Sequence, residues 1–348
     1  MAFARRLLRW YDRNGRKHLP WKRSRDPYAI WVSEIMLQQT QVATVIPYFL
    51  RFMQRFPTVK HLARATPDQV MQLWTGLGYY ARARNLHAAA RTIVAEHGGQ
   101  FPRTLDAVQA LPGVGRSTAG AILALAFDQR HAILDGNVKR VLARYYAIDR
   151  PLNGRDIETT LWALAEGHTP RTRVADYTQA IMDLGATVCR RTQPDCARCP
   201  VQRSCRAFAR GTPDRYPRRA QRSALPIKRI NMLMVRDRKA RVLLLQRPPA
   251  GLWGGLWSLP ECKQTDVRAY TRKHLGVDIA PATPWPTFRH SFSHFHLDIT
   301  PIPARLLGAP GEARETNAAA WVKLSAFGTR GLPAPVRRLL QQLRTEES

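Results

Sequence analysis

The sequence predicts two domains of different class: a larger all-α region followed by a smaller α+β domain. Three observations carry this. Apolar residues recur at helical spacing from Pro27 to about Phe208. After Arg210 the pattern shortens into β-type runs, beyond a stretch at 211–226 that holds three prolines and a basic run. Between the two, four of the five cysteines fall within seventeen residues, at Cys189, Cys196, Cys199 and Cys205. A length of 348 residues suits about two domains with buried cores.

The elements follow in order. Asp26-Pro27 reads as a helix cap with proline in the first turn. Helical spacing then recurs in Tyr28–Phe52, Pro67–Trp74, Ala81–His97, Leu105–Ala110, Ser117–Ala126, Val138–Tyr146 and Asp156–Glu166, with short Gly- or Pro-containing turns between. The stretch 211–226 reads as an exposed linker. The β-type runs are Ile230–Val235, Val242–Gln246, Phe292–Ile299 and Ala318–Val322, with helical runs at Val267–Leu275 and Val336–Leu343. The expected domains are therefore 1–210 and 227–348.

Charge narrows the partners. Fifty-five Lys and Arg against 25 Asp and Glu give a net +30, in excess on both sides of the linker. Such a field favours a polyanion, most often nucleic acid; an Arg-rich compositional bias is the alternative source. No segment reaches the roughly 18–20 apolar residues of a membrane helix. The basic stretch from Met1 to Pro20 lacks the apolar core of a signal peptide. The chain is expected in the cytoplasm, where disulfides are rare.

Four clustered thiolates in that compartment point to a metal centre. Soft sulfur ligands suit an iron–sulfur cluster or tetrahedral zinc. The gaps of six, two and five residues are uneven, and only Cys196–Cys199 forms a close pair. That leans towards iron–sulfur, with zinc as the alternative. Arg190, Arg191, Arg198, Arg203 and Arg206 interleave the cysteines. They would offer cations to phosphate, or simply form a solvated loop.

Leu111-Pro112-Gly113-Val114-Gly115 lies between two helical runs. Its glycines allow a sharp turn that aims the following helix's amides outward, where they can hold a phosphate without reading a base. L-P-G-V-G in this setting looks like a helix-hairpin-helix DNA-binding element.

L-P-G-V-G-R at 111–116, Asp135 about twenty residues on, and the cysteine cluster together resemble the endonuclease III superfamily of DNA glycosylases. Within it, the runs at Ser33–Thr40 (SEIMLQQT), Gly76–Tyr80 (GLGYY) and Leu134–Val138 (LDGNV) are similar to those of MutY-type adenine DNA glycosylases. The likeness extends over nearly the whole chain. It implies a six-helix barrel at about 27–134. It also implies an iron–sulfur part built from the N-terminal segment and about 135–210, carrying a [4Fe–4S] cluster on the four cysteines.

Cleaving a purine N-glycosidic bond requires protonation of the leaving base and an anion beside an oxocarbenium-like sugar, which parallels the two carboxylates of glycosidases. Glu34 sits among Ile30, Ile35, Met36 and Leu37, where burial would raise its pKa from about 4.3 towards about 6–7. A solvated helix edge is the plainer placement. By resemblance Glu34 protonates adenine N7 and later activates water. Asp135 reads as a helix N-cap; by resemblance it faces C1′, supported by Asn137. Ser117 stands where bifunctional relatives carry the lysine that forms a Schiff base, so the resemblance implies a monofunctional enzyme. The base must leave the duplex. Gln39 and Tyr79 match positions that wedge into DNA, and Gln38 lies in the same run. Either Tyr79 or Tyr80 could instead be core.

The run Gly251–Pro260 (GLWGGLWSLP) and the later strands look like a Nudix-type, MutT-like domain. A working Nudix enzyme holds Mg²⁺ on clustered Glu residues. Here Glu261 is followed by no Glu in 262–275 and only Asp266, so recognition is expected in place of hydrolysis. Phe292-Ser293-His294 matches the loop that checks the base opposite adenine. 8-Oxoguanine carries an N7–H donor where guanine has an acceptor, and a hydroxyl such as that of Ser293 can accept it. A strand end is the alternative. The expected partner is duplex DNA with adenine opposite 8-oxoguanine or guanine, and the expected state is a monomer. The alternatives are a bifunctional pyrimidine glycosylase/lyase, a non-catalytic iron–sulfur DNA-binding protein and a Nudix hydrolase.

Overall fold

The computed structural model describes residues 2–218, 224–308 and 319–346. Helices come first in the chain: α1 (Ala2–Asn14), α2 (Pro27–Leu37), α3 (Val42–Arg55), α4 (Val59–Arg64), α5 (Pro67–Trp74), α6 (Ala81–His97), α7 (Leu105–Gln109), α8 (Arg116–Phe127), α9 (Gly136–Tyr145), α10 (Arg155–His168), α11 (Val174–Asp183) and the short α12 (Arg206–Ala209). There follow β1 (Ile227–Arg236), β2 (Arg241–Gln246), β3 (Trp257–Ser258), β4 (Glu261–Cys262), α13 (Val267–Leu275), β5 (Asp278–Pro281), β6 (Phe288–Ser291), β7 (His296–Leu307), β8 (Ala319–Lys323) and α14 (Ala334–Thr345). The helical and α+β classes are those expected.

By packing, one compact unit holds 2–64 and 85–218, and the other holds 65–84 and 224–346. Chain order alone assigns 65–84 to the helical region. Its side chains bond elsewhere. Asp68 accepts the Trp257 indole N–H at 3.1 Å, and Gln72 donates to the Gly328 carbonyl at 3.0 Å. The Tyr80 hydroxyl donates to Leu332 and Arg84 to Gly254.

In the first unit α2 starts as expected: the Asp26 carboxylate accepts from Tyr28 and Ala29 N–H, with Pro27 in the first turn. Eight of its eleven residues are buried, and it packs between α3 and α8. The periodicity of Tyr28–Phe52 does not form one helix. It breaks after Leu37, and Gln39 takes a left-handed φ of 57°. Helix α1 is absent from the prediction although Phe3, Leu7 and Tyr11 recur every fourth residue. They bury against Leu142, Leu161 and Ile181 of α9, α10 and α11. Helix α11 ends in a π-helical turn, Leu184–Val188, that runs into Cys189. Part of the expected exposed linker is packed. Tyr216 is buried with Ala147 and Ala207, and Arg144 donates to the Pro213 and Tyr216 carbonyls. Residues 219–223 lie outside the described residues.

The second unit is built on a mixed sheet in the order β3-β2-β1-β7-β5, with β4 paired to β1, β6 to β7 and β8 to β2. The β1–β7 pair is parallel, from Ile227↔His296 to Arg236↔Arg305, and the others are antiparallel. Leu233, Leu243, Cys262, Val267, Ile279 and Trp321 share its core. The expected strand Phe292–Ile299 is corrected: 292–295 is the turn between β6 and β7. It closes with the Phe292 N–H donating to the Phe295 carbonyl at 2.9 Å. The turn leaves only His296 onward for the long strand. Ala318, expected to open β8, lies outside the described residues. Among the described residues no helix is long and apolar enough to cross a membrane.

Candidate active site

A pocket of about 610 Å³ opens in the first unit, and Glu34, Ser117, Asp135 and Asn137 all line it. Glu34 sits near the end of α2 beside the buried Ile35 and Met36. Burial, and next the Asp135 carboxylate, push its pKa up to about 7, while Lys22 pulls it down. Asp135 is the N-cap of α9, accepting from Val138 N–H at 2.8 Å and from Asn137 Nδ2 at 3.1 Å. Burial raises its pKa, outweighing those donors and Arg140. Cap and pocket carboxylate are thus one residue.

The neighbours fix this pair. Ser117 Oγ accepts the Leu134 N–H at 2.9 Å, which anchors the backbone just before Asp135. Asn137 Oδ1 accepts from Arg140 Nη2 at 2.7 Å. Arg140 also donates to the Gly185 carbonyl at 2.6 Å and the Cys189 carbonyl at 2.8 Å. A Cβ on Gly185 would lie 2.6 Å from the Asn137 Cβ, so the π-helical turn presses directly on Asn137. Gln38 lines the pocket and donates to Thr118 Oγ1 at 3.4 Å.

Arg16, Trp21 and Gln179 also line the pocket and were not foreseen. The fully buried Asp183 organises that wall. It accepts from Arg16 through backbone and side chain at 2.7–2.9 Å, and from Gln179 at 2.9 Å. An aspartate inside an apolar helical run is a faint signal of such a buried partner. An acid titrating near neutrality beside a second carboxylate can protonate a leaving group and stabilise a cation.

Away from the pocket, Cys189, Cys196, Cys199 and Cys205 line one small cavity. Among the described residues no group of three or more His, Cys, Asp and Glu is arranged for a single metal ion. The chemistry of the four-sulfur set fits a thiolate-held cluster. The buried Arg144 guanidinium donates to Cys189 Sγ at 3.4 Å and to the Arg190 and Arg191 carbonyls. Backbone N–H groups of Val201, Ala207 and Phe208 serve Cys199 and Cys205. Burial pushes the Cys199 thiol up to about 12. Arg190, Arg191, Arg198, Arg203 and Arg206 are exposed around the loop.

The 110–115 turn joins α7 to α8, with Gly115 as N-cap. Gly113 has φ 78°, and a Cβ there would lie 2.7 Å from Asn85. Leu111 and Val114 are buried, so this turn presents backbone to solvent through Gly113 and Gly115. Gln39 is exposed at its left-handed position.

In the second unit Tyr79 is 49 % exposed with φ 50°, whereas Tyr80 is buried. Ser293 and His294 are exposed at the β6–β7 turn and Phe292 is half-buried. Glu261 is paired with Arg247, and Asp266 caps α13.

The first unit's helical hairpin and acidic pocket define a base-excision repair fold. Residues 32–166 match the HhH-GPD superfamily of base excision DNA repair proteins, and residues 231–342 match the NUDIX domain. An endonuclease III–DNA complex shares the fold at 21% identity and TM-score 0.51, over 60% of this chain and 94% of that one. A thermostable thymine-DNA glycosylase aligns at 28% identity and TM-score 0.55, over 60% and 95%. The adenine DNA glycosylase of Buchnera aphidicola (subsp. Acyrthosiphon pisum) is 37% identical over 98% of this chain and 97% of its own. That of Homo sapiens is 36% identical over 98% and 73%. The chain belongs to the adenine DNA glycosylase family.

Proposed function

We propose that this protein is a monofunctional glycosylase that removes adenine paired with 8-oxoguanine, and with guanine, from duplex DNA and leaves an abasic site. The observation that carries the reading is one pocket holding Glu34, with a pKa near 7, together with Asp135. Protonated Glu34 gives its proton to adenine N7, and the C1′–N9 bond breaks with its electron pair leaving on the base. Asp135 faces the cationic sugar. The Glu34 carboxylate then takes a proton from water as its oxygen bonds C1′, which restores the acid. Ser117 accepts a backbone N–H and offers no amine, so no Schiff base forms and the strand stays intact.

The glycine turn, Gln39, Tyr79 and the arginine loop grip and open the duplex on this reading, supported by the +30 charge. Cys189, Cys196, Cys199 and Cys205 would hold a [4Fe–4S] cluster, which when bound ties the loop into one shape. Iron and sulfide analysis of purified protein should give four of each per chain; zinc alone would overturn that assignment. Phe292, Ser293 and His294 would read the opposite base, Ser293 Oγ accepting the N7–H of 8-oxoguanine. The protein acts as a cytoplasmic monomer.

The test is a duplex with adenine opposite 8-oxoguanine, resolved with and without alkali. Strand breaks only after alkali are expected. Breaks without alkali, with a borohydride-trapped covalent complex, would establish the lyase reading instead. No breaks at all would leave a non-catalytic DNA-binding protein.

A further inference from the structure

The second unit carries two exposed features, the Tyr79 turn and the tip at Ser293 and His294. The loop 247–256, between β2 and β3, touches the elements behind both. Its backbone is over-determined. Gly251, Trp253 and Gly255 have φ of 85°, 54° and 76°, and a Cβ on Gly254 would lie 2.3 Å from the Pro249 carbonyl oxygen. Arg247 Nε donates back to the Leu252 carbonyl at 2.7 Å. On one side, Arg84 Nη1 donates to the Gly254 carbonyl at 2.6 Å. Arg84 lies one helical turn beyond Tyr80, whose backbone carbonyl accepts the Arg84 N–H at 3.2 Å.

On the other side a run of rings leads to the tip. The Trp253 indole is 7 % exposed, with its centroid 5.7 Å from Phe292 and 5.9 Å from His290. Phe292 stacks on Phe295 at 4.5 Å, and Lys228 Nζ lies over Phe295 at 4.6 Å. Packed rings hold a short turn with little loss of side-chain freedom.

We propose that loop 247–256 is a strut between the Tyr79 turn and the 292–295 tip, with Trp253 and Arg84 as positioning residues for reading the base opposite the excised adenine. The inference rests on the reading of that tip given under the proposed function. Guanine and 8-oxoguanine differ at N7 by acceptor against donor, so discrimination depends on one hydroxyl standing at hydrogen-bond distance. A four-residue turn without backing would not hold Ser293 there. Trp253 acts through Phe292, and Arg84 acts through the Gly254 carbonyl.

The test measures single-turnover excision from adenine opposite 8-oxoguanine and opposite guanine, and takes the ratio. Trp253→Leu is expected to lower the ratio about tenfold, the worth of one well-placed hydrogen bond. Trp253→Phe should restore most of it. In a Ser293→Ala background, Trp253→Leu should add no further loss, because both act on one contact. An unchanged ratio in Trp253→Leu, or a loss that adds fully to that of Ser293→Ala, overturns the strut. If Ser293→Ala itself leaves the ratio intact, the reading of the tip falls and the strut with it. A lowered ratio in Ser293→Ala beside a silent Trp253→Leu overturns the strut alone. Should Trp253→Leu not fold, Arg84→Ala carries the same comparison, with Arg84→Lys as its rescue.

Discussion

On the proposed mechanism, Glu34 joins catalysis to stability in one side chain. Its folded pKa of about 7 lies above the ordinary carboxyl value of 4.5. The folded state therefore binds the proton more tightly than the unfolded chain. Ionisation penalises folding increasingly from pH 4.5 to about 7, and fully above that. Glu34→Gln should consequently be inactive in adenine excision yet more stable than the wild type at pH 8. The gain should be about 2 kcal/mol by denaturant melts, less than the shift alone implies because the side chain faces an open pocket. Near-normal turnover by that variant would sink the mechanism. Wild-type excision should fall as pH rises through about 7, since the acid form is the reactive one; a rate flat from about pH 6 to about pH 9 would contradict it. Asp135 separates its two uses by substitution. Asp135→Asn keeps the cap and loses the charge, so stability should hold within about 0.5 kcal/mol while excision drops at least about 100-fold. Asp135→Ala should lose excision and about 1 kcal/mol besides.

At the scale of elements, the π-helical turn after α11 is the link between the cysteine loop and the pocket. Gly185→Ala would gain helix propensity of about 1 kcal/mol. Its methyl would meet Asn137 at 2.6 Å, among helix backbones that cannot easily yield. The overlap should win: net destabilisation in melts, with excision reduced at least tenfold. Unaltered kinetics would show that Asn137 can move freely. None of this was legible from the chain, because Gly185 carries no local turn signal. By contrast, the bounds of α13 were legible from its helical spacing, and the structure adds an Asp266 cap and a left-handed Gly276 at its two ends. The 292–295 turn was misplaced into a strand. Its aromatic residues have high strand propensity, and only the β6–β7 register shows where the chain reverses.

For the whole molecule, the segment 65–84 belongs by packing to residues far along the chain. Asp68→Ala would strip the partner from the Trp257 indole N–H and the nearby Arg330. A loss of about 1 kcal/mol is expected in thermal or urea melts. No loss would show that these contacts add nothing beyond α5 packing. If the cysteine cavity holds the proposed cluster, the same variant should leave the iron content unchanged, because that cavity lies in the first unit.

Both pocket carboxylates were implied by the resemblance to MutY-type glycosylases; by itself the sequence determined the two classes of domain, the cysteine loop, the glycine turn and the Asp135 cap. These are written in local spacing, capping and residue type, which act over a few residues. Only the tertiary structure decided that Arg16, Trp21 and Gln179 share the pocket with Glu34, and that Asp183 holds that wall. It alone also placed Tyr79 on the unit that carries Ser293. Those relations are set by burial and hydrogen bonds between segments distant in the chain, and no local pattern encodes which distant partner satisfies a buried charge.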